Sequence, residues 1–411
     1  MPATPSYEGF PVPSEYMPWE SSVAYLNDGS ILMTFSNRDT SIVMGTVSKD
    51  DGQTWQPPHT LRTVSGKKLE GCRTTVLRLK SGALGLFHST PWTSFGRDGA
   101  LMFHKSTDEG ATWTEGVYVD PRFSLLRNGC ATLLQDGRII APTYHWITPH
   151  LKDAEQDGVA LSYSYSYYSD DEGESWLRSV NEMFVKENEV AYDFVDNKFF
   201  RLNEESRAFI QQSHHLDKYG EPTAVELTDG RLLCYGRTRM GRIYQSISHD
   251  SGETWSVPAA VEINSSDSPM TLKRIPKTGD LLLIWNQATP EEILSGLPRH
   301  RLSTAISKDE GKTWTSFKNL ESLDDAAQLE PPPVKIYQMV DWTGAYQRPE
   351  DTQRYHRIPG YLRAAYPDVA FKDDTAVVCY DCGRRLEVSG PPTIMFATRV
   401  KVLPINWFYQ T

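Results

Sequence analysis

Six positions along the chain carry residue types that could form a site if the fold brought them together. Each stands nine residues before a turn that is centred on glycine or, in the last case, on Thr375. We call them the inner ring: Glu20, Arg73, Asn128, Glu221, Met270 and Tyr366. Five of the six are polar, although each begins an otherwise apolar segment. Two carboxylates, a guanidinium, an amide and a phenol that converge would form a site for a polar ligand.

A second set of polar residues is predicted to lie in loops on the same side as the inner ring. The set comprises Arg38, Asp39, His88, Tyr144, His145, Arg237, Arg239, Arg299, Arg301, Asp381, Arg384 and Arg385. Its arginines predict a locally basic mouth in a chain whose formal net charge is −11. Because planar guanidinium groups match carboxylates and vicinal hydroxyls, this set favours a polar or anionic ligand.

Five copies of one short pattern indicate the elements that must position these residues. The pattern is Ser-x-Asp-x-Gly-x-Thr/Ser-Trp, and it occurs at residues 48–55, 106–113, 169–176, 248–255 and 307–314. The Asp can accept hydrogen bonds from the turn's own backbone, and the Gly permits a positive φ. The Trp supplies an apolar body that can pack between neighbouring repeats. We therefore interpret the five segments as structural hairpin turns.

A weaker repeat precedes each of these turns and predicts the fold. Its six copies are NDGSILM, KSGALGL, QDGRIIA, TDGRLLC, TGDLLLI and DDTAVVC. Each is a tight turn followed by a short apolar strand, and six such units predict an all-β, six-bladed β-propeller. Residues 1–411 then form a single domain, with long insertions at about 177–220 and 315–365 and a closing strand at 393–400. In a propeller the heads of the inner strands converge on one face.

The chain resembles the sialidase superfamily, the propellers with BNR repeats or Asp-boxes. The five Ser-x-Asp-x-Gly-x-Thr/Ser-Trp segments correspond to these Asp-boxes. Two further segments are similar to sialidase segments. One is GEPTAVELTDGRLLCYGR, which is similar to the segment with a Glu and a following Arg, and the other is AYPDVAFKDDTAVVCYDCG, which is similar to the segment with the nucleophilic Tyr. The resemblance implies that Tyr366 attacks the anomeric carbon, Glu221 accepts its proton and Arg237 holds an acidic group. It implies Asp39 as the acid/base residue. Sialidases are an exception to the usual two-carboxylate glycosidases because they employ Tyr.

One departure from the resemblance bears on the substrate. In sialidases the first inner strand begins Phe-Arg-Ile-Pro, and that Arg helps to clamp the carboxylate of sialic acid. Here the strand begins Met17-Pro18-Trp19-Glu20. Ordinary sialic acid is therefore not the expected substrate. The predicted substrate-binding residues are Arg237, Arg73, Glu20, Asn128, Arg299, Arg301, Trp19, His88 and His145.

Three functions remain open at this point. The first is an exo-acting glycoside hydrolase on a terminal sugar, acidic or neutral, with Tyr366, Glu221 and Asp39 as its catalytic set. The second is a polysaccharide lyase or rhamnosidase-type enzyme on uronate glycans, which would use His88 or His145 with Tyr144. The third is a carbohydrate-binding propeller without chemistry. All three imply a glycan partner.

Composition excludes several other classes of protein. The acidic balance argues against nucleic-acid binding, and no apolar run is long enough to span a membrane. Five scattered cysteines do not form a disulfide framework, and the histidines lack zinc-ligand spacing. We therefore expect no metal and no cofactor. The first residues lack a signal-peptide pattern, which favours a cytoplasmic protein over a secreted one whose leader has been removed.

Overall fold

The computed structural model describes most of the chain as strands around a central axis. The described residues are 4–91, 99–122, 124–147, 161–186, 216–217, 219–238, 240–294, 297–332, 362–385 and 394–410. They form a six-bladed β-propeller, which confirms the predicted fold.

Five blades follow one another along the chain. Each has four antiparallel strands, which are given below from the innermost to the outermost, and in blade 3 the innermost strand is divided into two pieces. Blade 1 has Pro18–Tyr25, Ile31–Asn37, Ile42–Ser48 and His59–Thr60; blade 2 has Cys72–Arg78, Leu84–Ser89, Leu101–Ser106 and Val117–Asp120. Blade 3 has a split inner strand, Leu125–Leu126 and Thr132–Leu133, then Ile139–Ile147, Leu161–Ser169 and Leu177–Arg178. Blade 4 has Gly220–Glu226, Leu232–Arg237, Arg242–Ser248 and Ala259–Asn264; blade 5 has Thr271–Arg274, Leu281–Asn286, Leu302–Ser307 and Thr315–Glu321.

Blade 6 joins the two ends of the chain. Its first three strands are Leu362–Lys372, Thr375–Arg385 and Ile394–Pro404, and its outermost strand is the N-terminal Tyr7–Gly9. Tyr7 lies opposite Val402 in this pairing. The sequence predicts the third strand but not the N-terminal one, so the ring is closed by a segment that carries no recognisable sequence signal.

The remaining described elements are short. Val185–Lys186 pairs with Leu216–Asp217, and the helices are Ser14–Tyr16, Pro290–Leu294 and Ile405–Tyr409. In the part of the chain that the structure describes, no helix has the length and apolar character needed to cross a membrane.

The two stretches predicted as insertions include strands of the blades. Leu177–Arg178 is the outer strand of blade 3, and Thr315–Glu321 is that of blade 5. Much of both stretches, residues 187–215 and 333–361, lies outside the described residues.

Each of the five Asp-box turns packs against the blade that precedes its own. In the fourth box, the Asp250 carboxylate accepts hydrogen bonds from the Thr254 N–H at 2.8 Å and the Thr254 hydroxyl at 2.5 Å. Gly252 has a φ of +90°, as the turn requires. Trp255 reaches into blade 3, where its indole N–H donates to the Ser166 hydroxyl at 2.8 Å. The boxes therefore have the structural role that their composition predicts.

Candidate active site

Four residues of the inner ring share an unusual backbone conformation. Glu20, Arg73, Glu221 and Tyr366 have φ values of +49°, +62°, +45° and +58°. In each of the four blades, the strand pairing shifts register at this point, as it does at a β-bulge. A left-handed non-glycine residue costs about 1–3 kcal/mol, and such strain concentrates at functional sites. Bulges redirect side chains, and here they direct four polar side chains of different blades toward one another.

Glu221 is the centre of this group. Its Oε1 accepts hydrogen bonds from two phenols, those of Tyr366 at 3.5 Å and Tyr144 at 3.4 Å. Its Oε2 accepts one from the Arg237 guanidinium at 2.5 Å. The carboxylate is 1% exposed, so these contacts operate with little screening by water. One oxygen of Glu221 is thus fixed by a cation, while the other faces two phenolic protons.

Arg237 and Arg299 lie beside the Tyr366–Glu221 pair. The Arg237 Nε donates to the Asp267 carboxylate at 2.5 Å, so this guanidinium joins two buried carboxylates. These carboxylates raise the pKa of Arg237 despite its burial. The Arg299 guanidinium lies 5.5 Å from the centre of the Tyr366 ring and donates to the Asp267 carbonyl oxygen at 3.2 Å. The Arg299 guanidinium thus lies near the phenol ring, and Arg237 interacts with the phenol electrostatically.

Arg73 connects the heads of blades 1 and 4. Its Nε lies 3.3 Å from the Glu20 carboxylate, and its Nη1 lies 3.8 Å from that of Glu221. The same Nη1 donates a hydrogen bond to the Tyr144 hydroxyl. Trp19 covers this cation, with its ring 6.0 Å from the Arg73 guanidinium carbon. Arg73 thus belongs to the electrostatic network of Glu221.

Two further carboxyls, Glu20 of blade 1 and Asp381 of blade 6, lie beside each other. Burial raises the pKa of Glu20 to about 7, while Arg73 opposes that rise and Glu221 adds to it. Burial likewise raises the pKa of Asp381 to about 8, and the Glu20 carboxyl adds to the rise. The Asp381 Oδ1 accepts the backbone N–H of Glu20 at 3.2 Å. Burial, Glu221 and Glu20 also raise the pKa of Tyr366, so its hydroxyl holds its proton at neutral pH.

Asn128, the amide of the inner ring, contacts the main chain of other blades. The Asn128 Nδ2 donates to the carbonyl oxygens of Ser21 at 2.8 Å and Tyr366 at 3.0 Å. It therefore ties the heads of blades 1 and 6 to blade 3. Met270, the apolar member, is fully buried directly before the inner strand of blade 5.

Other residues predicted to bind substrate or act in catalysis lie elsewhere. Asp39 is exposed in the turn after Ile31–Asn37, and among the described residues its carboxylate makes no hydrogen bond or ion pair. His145 is half-buried, with its ring centre 5.4 Å from that of Tyr163. Among the described residues, Asp39 forms no hydrogen bond or ion pair with Glu221 or Tyr366.

Arg301 belongs to a separate ion-pair network in blade 5. Its guanidinium donates to the carboxylates of Glu292 at 2.9 Å and Asp324, and His300 lies 3.3 Å from Glu292. Glu292, His300 and Asp324 place potential metal-ligand atoms within 4.8 Å of one another. Because Arg301 already neutralises both carboxylates, the arrangement is that of an ion-pair cluster.

His88 lies inside blade 2 rather than in a loop. Its Nε2 is 3.0 Å from the Nε2 of His104, and its Nδ1 is 3.3 Å from the Ser89 carbonyl oxygen. Burial and, to a lesser extent, His104 lower the pKa of His88 to about 3. Both ring nitrogens thus contact groups of the blade itself, which is the environment of a neutral core histidine.

The low pKa of His88 predicts acid sensitivity. The unfolded histidine binds a proton below about pH 6.5, whereas the buried His88 stays neutral down to about pH 3. The folded state is therefore progressively destabilised relative to the unfolded state as pH falls from 6.5 toward 3. His88→Gln should reduce the slope of unfolding free energy between pH 6.5 and 4.5 by about one proton, or about 1.4 kcal/mol per pH unit. Urea unfolding across this range measures both slopes. Equal slopes in the two proteins would mean that His88 is not the titrating group.

Sequence reasoning missed Asp267 and did not place Tyr144 beside Glu221. Asp267 stands in the loop before the inner strand of blade 5, outside any recognised motif. Its position before an inner ring residue, Met270, is the signal that could have identified it. The sequence places Tyr144 among the polar residues of the mouth and, in the lyase hypothesis, beside a histidine. Its proximity to Glu221 depends on how blade 3 packs against blade 4.

Comparison with known proteins supports the same architecture. A family model described as the BNR repeat-like domain matches residues 36–379. Curated protein sequences give no significant match. Among solved structures, the chain is similar to the Ruminococcus gnavus intramolecular trans-sialidase, with 13% identity, a TM-score of 0.58 and coverage of 100% of this chain and 98% of that one.

Two other solved structures are similar at comparable levels. A Dyadobacter fermentans protein of unknown function has 15% identity and a TM-score of 0.57, with 98% of this chain and 99% of that chain covered. Trypanosoma rangeli sialidase has 15% identity and a TM-score of 0.52, with 95% of this chain covered. The match spans only 55% of that sialidase. At these identities the similarity establishes the sialidase-like fold.

Proposed function

The chain belongs to the BNR repeat-like domain family, and from that premise we propose that it is a glycoside hydrolase that releases a terminal sugar from a glycan. The observation that carries this proposal is the buried pair of Tyr366 and Glu221, whose Oη and Oε1 atoms lie 3.5 Å apart. A phenol is a weak nucleophile near neutral pH and needs a base within hydrogen-bond reach.

The pair and its neighbours suit a displacement at an anomeric carbon. Tyr366 Oη would form a bond to that carbon while its proton passes to Glu221 Oε1 and the bond to the leaving oxygen breaks. Arg237 donates a hydrogen bond to Glu221 Oε2 and so leaves Oε1 facing the Tyr366 hydroxyl. Water would then bond to the anomeric carbon as the Tyr366–carbon bond breaks. The proton that this water loses balances the one gained by the departed oxygen, and Glu221 returns its proton to the phenol. The assignment of this pair is independent of the resemblance-based role of Asp39.

The charges around the pair bear on the kind of sugar. The similar proteins from Ruminococcus gnavus and Trypanosoma rangeli are named as a trans-sialidase and a sialidase. Here Glu20 contributes a buried carboxyl beside Arg73, while Arg237 is already shared by two carboxylates. A substrate carboxylate would therefore meet a carboxyl where sialidases place an arginine, and the nearby cations Arg73 and Arg237 are already engaged by protein carboxylates. We therefore propose a sugar other than ordinary sialic acid.

The test is a panel of 4-methylumbelliferyl glycosides that includes neutral hexosides, 6-deoxyhexosides, uronides and a sialoside. We expect fluorophore release from at least one member, with the sialoside among the poorest. Two outcomes would contradict the proposal. Ultraviolet-absorbing unsaturated products from uronate glycans would indicate a lyase, and saturable glycan binding without turnover of the panel or natural oligosaccharides would indicate a binding propeller.

A further inference from the structure

Glu20 is a buried acid whose carboxyl oxygens accept no hydrogen bond from the described residues. Its side chain is 0% exposed, and neither oxygen has a hydrogen-bond partner among the described residues. Its charged contact is the Arg73 Nε at 3.3 Å. Native proteins satisfy most buried polar atoms, so an exception calls for an explanation such as a catalytic role. The backbone around Glu20 is anchored, since its N–H donates to Asp381.

The position of Glu20 links it to the nucleophile pair. One guanidinium, that of Arg73, contacts both Glu20 and Glu221. Glu20 also interacts electrostatically with Tyr366 and raises the pKa of that phenol. Yet neither Glu20 oxygen hydrogen-bonds to Tyr366 or Glu221, so the carboxyl is close to the pair without being part of it. This separation would suit a second carboxyl that acts on another atom of the substrate.

We propose that Glu20 is the proton donor to the leaving-group oxygen of the glycosidic bond, which rests on the proposed hydrolase function. In the first step Tyr366 Oη bonds to the anomeric carbon, its proton moves to Glu221, and the glycosidic C–O bond breaks. The Glu20 proton joins the departing oxygen, which leaves as an alcohol. In the second step ionised Glu20 takes a proton from the attacking water, the Tyr366–carbon bond breaks, and Glu221 returns its proton to Tyr366.

The two other carboxyls on this side fit the role less well. Asp39 is exposed in its turn and, among the described residues, forms no hydrogen bond or ion pair with Tyr366 or Glu221. Asp381 accepts the Glu20 backbone N–H, so one of its oxygens is occupied by the main chain. Of these three carboxyls, Glu20 is the one whose ion pair with Arg73 connects it to Glu221.

The charges that face Glu20 define the expected pH dependence. Burial raises its pKa to about 7, and Glu221 adds to that effect, whereas Arg73, Arg127 and Arg363 oppose it. Asp381, whose pKa is raised to about 8, faces it from blade 6. Below pH 7 Glu20 therefore holds the proton that it must donate. For substrates with poor leaving groups, kcat/KM should fall as pH rises above about 7.

A leaving-group comparison tests the proposal. The probes are the 2,4-dinitrophenyl and phenyl glycosides of the best sugar in the panel, because only the phenyl leaving group needs a proton. Glu20→Gln should lower kcat/KM on the phenyl glycoside by about 100-fold or more, and on the dinitrophenyl glycoside by less than about 10-fold. The fall in rate above pH 7 should disappear in this variant. Asp39→Asn should show no such difference between the two probes.

The outcomes separate this inference from the proposed function. Equal losses on both probes, or a leaving-group difference in Asp39→Asn instead, would overturn the role of Glu20 while Tyr366→Phe remains inactive. Full activity of Tyr366→Phe, or no turnover by the wild-type protein, would overturn the hydrolase proposal and this inference with it. If Glu20→Gln does not fold, the pH dependence of kcat/KM of the wild-type protein on the two glycosides is the test. A fall in kcat/KM above pH 7 on the phenyl glycoside alone supports the inference, and identical pH profiles on both glycosides contradict it.

Discussion

Tyr366→Phe should abolish glycoside turnover and lower kcat by at least about 10³-fold, because it removes the proposed nucleophile. The change deletes one oxygen and keeps the ring against the Arg299 guanidinium. Glu221 Oε1 still accepts the hydrogen bond from Tyr144 at 3.4 Å, so its carboxylate keeps partners on both oxygens. The free energy of unfolding should therefore change by no more than about 1 kcal/mol.

The measurement compares fluorophore release and urea unfolding in the wild-type and variant proteins. Tyr118→Phe is the matched control, since Tyr118 is 61% exposed on the outer strand of blade 2. It should retain wild-type turnover. A Tyr366→Phe protein that keeps more than about a tenth of wild-type kcat would show that the phenol is not the nucleophile.

Arg237→Met should cause the largest loss of stability, about 3–5 kcal/mol of unfolding free energy. The guanidinium neutralises Glu221 and Asp267, and both ion pairs measure 2.5 Å. All three side chains are at most 2% exposed. Methionine fills similar space but leaves two buried carboxylates without this cation, which is the costly way to break a buried pair.

Urea unfolding at pH 8 and pH 5 separates the loss of charge pairing from a loss of packing. Without Arg237, burial should raise the pKa of both carboxyls, so the folded variant binds protons as pH falls and its deficit shrinks at pH 5. Adding Asp267→Asn should recover part of the loss. Arg231→Met, which breaks the exposed pair with Asp229, should leave stability nearly unchanged. If the loss of unfolding free energy is the same at pH 8 and pH 5, and Asp267→Asn does not reduce it, the electrostatic explanation is wrong.

The propeller could be predicted from sequence because its signals are local. Within each Asp-box turn, the hydrogen bonds that shape the turn join residues at most four positions apart. In the fourth box, for example, they join Ser248 to Asp250 and Gly252, and Asp250 to Thr254. The nine-residue spacing places Glu20, Arg73, Glu221 and Tyr366 at equivalent points of different blades. The N-terminal strand Tyr7–Gly9 was missed because three residues carry no periodic pattern, and only its pairing with the last strand defines it.

The contacts of the site were less predictable because they join distant segments. Tyr366 and Glu221 are 145 positions apart, and Tyr144 and Glu221 are 77. Their approach depends on how the blades pack, which no short pattern specifies. His88 shows the same limit at finer scale. It lies inside strand Leu84–Ser89 and faces His104 of the next strand, whereas the sequence suggested a loop residue at the mouth.

The mass of the peptide that contains Tyr366 tests the proposed chemistry most directly. Wild-type protein would be mixed with a fluorinated analogue of the best panel substrate, which slows release of the sugar, then quenched with acid, digested and analysed by tandem mass spectrometry. The proposed mechanism predicts one fluoroglycosyl group on the Tyr366 oxygen, absent from Tyr366→Phe protein. An adduct on Glu221 or another residue, or turnover of the analogue with no adduct at Tyr366, would contradict it.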